Sequence, residues 1–341
     1  MTLSVTEASQ PTAVARAPRR IDALDWTKGA LILFMVAYHA INYSAFRPLA
    51  FRYLAFLPPS FILITGFLVG QVYASKYDLQ TWRPYARLAI RGIKLLVIFT
   101  VLNVVHCIAQ QRGLADGLWE FADRSNAIFL SGNGRTGIFE VLLPIAYFLL
   151  LAPFLLWLRA RMSAAIATFA VAMFVLCAFL ELKGISWKNL GLLSAGFIGM
   201  ALGLVSMSSI DQFARRWVPI LLIYLAYQLS SHYFGENYPI QIFGAIASLC
   251  VLYCLALHLD SDSWLGKQMI TFGKYSLFAY LVQIAFLRGM VKMVGGRPEQ
   301  WLGVAFIAVA TTAFLVLTVQ ALDRVRLRSH PLEIAYKSVF A

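Results

Sequence analysis

Ten stretches of this chain are each long and apolar enough to cross a lipid bilayer: 24–45, 56–75, 89–109, 138–158, 163–181, 188–207, 216–233, 239–258, 269–290 and 301–322. Within hydrocarbon every backbone polar group must be bonded inside its own segment, so a chain divided this way folds as an all-α integral membrane bundle of about ten transmembrane helices. Composition agrees, because 60% of the residues are hydrophobic and 13% are charged, roughly half the charged share of a soluble domain. An even number of spans puts both termini on one side. Most Lys and Arg residues fall in loops of that side, which makes it cytoplasmic. The same anchoring accounts for the net charge of +13 without a nucleic-acid partner. Three regions follow: a disordered cytoplasmic lead over 1–19, a ten-span membrane domain over 20–323 and a basic cytoplasmic tail over 324–341. Cys107, Cys177, Cys250 and Cys254 all lie in apolar runs and suggest neither disulfides nor a metal site.

The first span carries the most informative pair. Lys28 and His39 are eleven residues apart, about 16 Å along a helix, and roughly 20° apart around it. They share one face, half a bilayer apart. Ionisable groups in an apolar span face a bundle interior or a water-filled cavity and mark a functional path. A neutral imidazole can take a proton from an attacking hydroxyl and return one to a leaving thiolate. Asn42 and Tyr43, on the neighbouring turn, can orient or hydrate that ring.

Other stretches add polar groups at defined positions. Gly66 and Gly70 have the small-residue spacing that lets helix backbones approach closely. Arg83, Arg87, Arg91 and Lys94 recur at intervals of four, four and three, giving a cationic stripe that either anchors to lipid headgroups or docks a multiply charged phosphate ligand. Glu140 opens the fourth span, where a carboxylate can pair with His39 or an arginine, bind a sugar hydroxyl, or reach the interface, and Pro144 breaks the local hydrogen-bond ladder. Tyr280 and Gln283, three apart in the ninth span, either line a cavity or bond between helices. The loop 110–136, with Arg135 in a turn-rich stretch, either shapes an external substrate site or only connects. His106, His232, His258 and His330 have no partner at ligand spacing and read as structural.

Taken together, three features resemble the membrane acyltransferase-3 superfamily: the basic Lys28 separated from His39 by ten intervening residues, the Phe61–Phe67 motif Phe-x-x-x-Thr-Gly-Phe, and the arginines that follow. Within it the stretches Glu140–Pro153 and Phe272–Leu277 are similar to OpgC-type proteins, named for a periplasmic glucan succinyltransferase. The resemblance implies an acyltransferase of the bacterial inner membrane. It would move a succinyl or acetyl group from cytoplasmic acyl-CoA, the donor co-substrate, to a hydroxyl of a periplasmic or cell-surface glycan. Lys28 and the stripe would hold the CoA phosphates, His39 would act as general base, and Glu140, Asn42, Tyr43, Tyr280, Gln283 and Arg135 would line the catalytic and acceptor regions. Direct transfer competes with a covalent acyl-histidine. Two departures stand out: Gln283 occupies the position where the superfamily usually has His, and Glu140 replaces an expected Asp. A transporter or flippase for a glycan or lipid-linked solute is the alternative reading of the same polar face.

Overall fold

A computed structural model describes residues 22–44, 53–74, 77, 79–111, 113–132 and 138–340. Its described residues form fourteen α-helices and no strand. In chain order they are α1 (Asp22–Asn42), α2 (Leu57–Val69), α3 (Arg83–Gln111), α4 (Leu114–Asn126), α5 (Leu142–Arg159), α6 (Ala165–Leu182) and α7 (Lys188–Leu202). There follow α8 (Met207–Ala214), α9 (Trp217–Phe234), α10 (Tyr238–His258), α11 (Trp264–Lys274), α12 (Ser276–Met293), α13 (Trp301–Arg328) and α14 (His330–Phe340). The segment 1–19 and Arg135 lie outside the described residues.

Seven of these helices are long and apolar enough to cross a membrane: α2 with the π turn that extends it to Ala74, and α3, α5, α6, α10, α12 and α13. The α7–α8 pair, bent by 101°, is apolar enough to count as an eighth if the two helices form one broken span. The remaining expected spans fall on α1, where Asp22, Asp25, Lys28 and His39 dilute the apolar run, and on α9, which ends in Ser230, Ser231 and His232. The chain is a multi-pass membrane protein.

Local signals set the helix ends. Pro58 and Pro59 open α2, where a missing N–H costs nothing. Ser206, Asn237 and Ser263 cap α8, α10 and α11 through side-chain oxygens that accept backbone N–H groups. Two expectations shift. Pro144 stands in the first turn of α5, where it starts a helix and breaks none. The ninth span begins at Ser276 because the chain breaks at Tyr275, separating α11 from α12. The tail is helical: α13 runs through 324–328 and α14 follows it.

Glycine contacts put α1 and α2 at the centre. A Cβ at Gly66 would fall on the carbonyl oxygen of Gly196, and one at Gly70 on the carbonyl oxygen of Met200, so α2 and α7 lie backbone to backbone. Gly29 meets Met269 and Gly273 meets Asp25, which presses α1 onto α11 in the same way. Leu31, Ile32 and Met35 of α1 are fully buried as a result. We expect Gly66→Val to cost about 3 kcal/mol and to lower the unfolding temperature in detergent sharply. Gly191→Ala should leave it unchanged, since the added Cβ would sit 3.4 Å from the Tyr238 ring.

Candidate active site

The polar face of α1 borders two cavities, one at each end. The smaller, about 330 Å³, is lined by Lys28 with Thr65, Arg91, Lys94 and Ser276, and by Val339 and Phe340 of α14. Asp25, one turn earlier, pairs with Lys28 at 2.6 Å. The larger, about 1140 Å³, is lined by His39, Asn42, Tyr43, His106, Glu140 and Arg288 among others. Tyr280 and Val141 belong to the walls of both. The two chambers therefore meet at Val141 and Tyr280, the tyrosine ring lying 6.5 Å from that of His39.

His39 sits among aromatic rings, 5.3 Å from Tyr38 and 6.1 Å from Tyr43 between centroids. Its Nε2 is buried and has no hydrogen-bond partner among the described residues. An unsatisfied buried nitrogen costs on the order of 1–3 kcal/mol, a cost that a hydroxyl entering the chamber can remove. Beside it, the Arg288 guanidinium of α12 donates through Nε to the Tyr43 hydroxyl at 3.1 Å. Its Nη1 stands 2.9 and 3.0 Å from the two ring nitrogens of His106. Tyr43, next to the catalytic candidate, is thus held by a cation from a helix far away in sequence.

Glu140 pairs with Lys188 at the start of α7, and among the described residues neither His39 nor an arginine is its partner. Its position depends on a tight turn. Phe139 has φ of 59°, a left-handed conformation that costs an aromatic residue about 1–3 kcal/mol. Buried Asn103 of α3 pays for it: its Oδ1 accepts the Ile138 N–H at 2.9 Å, while its Nδ2 donates to the Ile138 carbonyl at 3.1 Å and the Phe99 carbonyl at 2.9 Å. On the facing side Asn189 donates to the carbonyls of Ile128 and Phe129, which ties the entry of α7 to the end of the α4 segment.

Of the residues proposed from sequence, His39, Asn42, Tyr43, Glu140 and Tyr280 come together around the large chamber. Lys28, Arg91 and Lys94 gather at the small one. Arg83 and Arg87 are exposed on the outer run of the stripe, with Arg87 donating to the Tyr77 hydroxyl at 3.2 Å. Gln283 is fully buried, lines neither chamber, and has no partner among the described residues for its side-chain oxygen or nitrogen. Sequence reasoning missed His106, Lys188 and Arg288. Arg288, a lone arginine in an apolar span, was the available signal. His106 gave none, because its partner lies 182 residues away.

A bundle that crosses the membrane several times and encloses a polar face between two chambers defines a polytopic membrane protein with an internal site. Residues 21–320 match the acyltransferase-3 family, described as an acyltransferase domain, and the chain belongs to that family. It is a membrane enzyme that transfers acyl groups. No curated protein and no solved structure matches the chain.

The clamp on the Ile138–Glu140 turn can be tested directly. Asn103→Ala leaves both backbone groups of Ile138 unpaired and should cost about 2 kcal/mol. Acyl transfer should fall and the unfolding temperature in detergent should drop by a few degrees.

Proposed function

We propose that the protein is a ten-span O-acyltransferase of the bacterial inner membrane with both termini cytoplasmic. It takes an acyl group from cytoplasmic acyl-CoA and delivers it to a hydroxyl of a periplasmic or cell-surface glycan. The observation that carries this reading is the unpartnered His39 Nε2 in a large chamber that shares Tyr280 and Val141 with a cation-lined one. Lys28, Arg91 and Lys94 hold the CoA phosphates at the inner mouth, and Arg83 and Arg87 extend the basic surface outward from it. The pantetheine arm passes Thr65 and Ser276 towards Tyr280, over a path of about 16 Å, so that the thioester reaches His39.

In the transfer step His39 Nε2 takes the proton of the acceptor hydroxyl as its oxygen bonds to the thioester carbonyl carbon. The C–S bond then breaks, and the imidazolium returns the proton to the departing thiolate. Arg288, linked to Tyr43 and His106, places positive charge and a hydroxyl beside the carbonyl oxygen as it gains negative charge. Asn42 and Glu140 orient the acceptor. Direct transfer needs no covalent acyl-enzyme, and no nucleophile stronger than the acceptor is required.

Charge in the large chamber favours succinyl over acetyl. Among the described residues lining it, Lys188, Arg288, Lys292 and Arg297 stand against one carboxylate, Glu140, which is already paired. A net positive wall complements the free carboxylate of a succinyl group, in keeping with the likeness to OpgC-type proteins.

His39→Ala should abolish transfer in proteoliposomes without lowering the thermal stability or CoA affinity, whereas Arg91→Ala with Lys94→Ala should weaken CoA binding. Retained transfer in the first variant would remove His39 from the reaction. Lys292→Gln with Arg297→Gln should reduce succinyl transfer about fivefold and leave acetyl transfer nearly intact; equal losses would deny the chamber a role in choosing the acyl group.

A further inference from the structure

A third cavity opens from the large chamber and differs from it in chemistry. It measures about 280 Å³ and shares Tyr38, Pro58 and Lys188 with the wall of the His39 chamber. The ends of α6, α7 and α10 form most of the rest, with Ala55 and Pro59 at the entry of α2 and Glu236 just before α10. Its charged residues are Glu181, Glu236 and the shared Lys188, whose ammonium is already paired with Glu140. The other two cavities are dominated by cations. This one is acidic, so it suits neither a phosphate nor an anionic headgroup.

Its walls combine carboxylates and amides with aromatic rings. The Glu181 carboxylate accepts the backbone N–H of Tyr238 at 2.8 and 3.0 Å. A carboxylate offers about four acceptor sites, so Glu181 retains capacity for hydroxyl donors. Gln241 and Ser186 add further donors and acceptors to the same wall. Trp187 stands at the rim with 55% of its surface exposed. Its backbone is extended, φ −108° and ψ 95°, because it is the N-cap residue of α7. Its carbonyl accepts the Gly191 N–H at 3.0 Å, which fixes the backbone from which the indole projects. A broad aromatic face beside hydroxyl acceptors, with no unpaired cation, fits a neutral polyhydroxylated ring.

We propose that this cavity is a second sugar subsite, and that the acceptor spans at least two linked sugar units, one at His39 and the next against Trp187. The proposal rests on the acyl-transfer reading above, with the glycan as acceptor. It makes the enzyme selective for chain length: the unit that receives the acyl group is presented by its neighbour, which crosses the Lys188–Glu140 pair into the acidic pocket. Trp187 acts here as a binding residue remote from the reacting atoms.

The test is equilibrium binding without donor, using full-length protein in lipid nanodiscs and calorimetric titration with methyl β-glucoside and with the corresponding β-linked di- and triglucosides. The longer glucosides should bind about tenfold more tightly than the monosaccharide, the equivalent of one well-placed aromatic stack. Trp187→Ala should erase that difference while leaving monosaccharide affinity unchanged, and Trp187→Phe should restore most of it. Equal affinity for all lengths, absence of binding by all three, or a length preference that survives Trp187→Ala overturns the subsite. Since no acyl-CoA is present, a failure of the transfer assays leaves this outcome intact, and the subsite can fail while transfer is observed.

Discussion

The structure depends on the cost of holding ionisable groups inside an apolar helix. A charged side chain near the bilayer centre costs about 2.5–3.5 kcal/mol by insertion scales, and α1 carries Asp25, Lys28 and His39 along its length. Such a helix is stable only when protein surrounds it. The glycine contacts supply that enclosure, by allowing α11 to lie directly on α1 and α7 on α2. The polar face of α1 then turns away from lipid and towards the two chambers.

Enclosure also determines the chemistry at each end. At the Lys28 end, ammonium and guanidinium groups from α1 and α3 converge beside Ser276 of α12. At the His39 end, His106 of α3, Lys188 of α7, Arg288 and Lys292 of α12, Glu140 just before α5 and Arg297 beyond α12 supply the charged and ionisable groups. Only Tyr280 and Val141 separate the two sets. Under the proposed acyl-CoA reading this division keeps charge recognition of the donor remote from the reacting carbonyl.

The strained turn at Phe139 shows how stability is spent for position. Backbone in the left-handed region persists only when its surroundings hold it, and Asn103 does so with bonds to both polar groups of Ile138. The result sets Glu140 opposite Lys188 at the boundary between the large chamber and the acidic pocket. The same pair thus neutralises the one cation that the two compartments share.

Much of this was legible in the sequence. The hydropathy runs give the helical membrane class, and the eleven-residue interval gives the shared face of Lys28 and His39, because periodicity within one helix is a local property. The Gly66–Gly70 spacing likewise anticipates close packing, though not the partner. What only the tertiary structure decided is which helices meet. Arg288 reaches His106 and Tyr43, Lys188 reaches Glu140, and Asn103 reaches Ile138 across separations that no spacing rule connects. It also decided which members of the arginine stripe border a cavity, with Arg91, itself exposed, and Lys94 at its wall and Arg83 and Arg87 away from it, since a helix face is continuous in sequence while the neighbour that covers it is not.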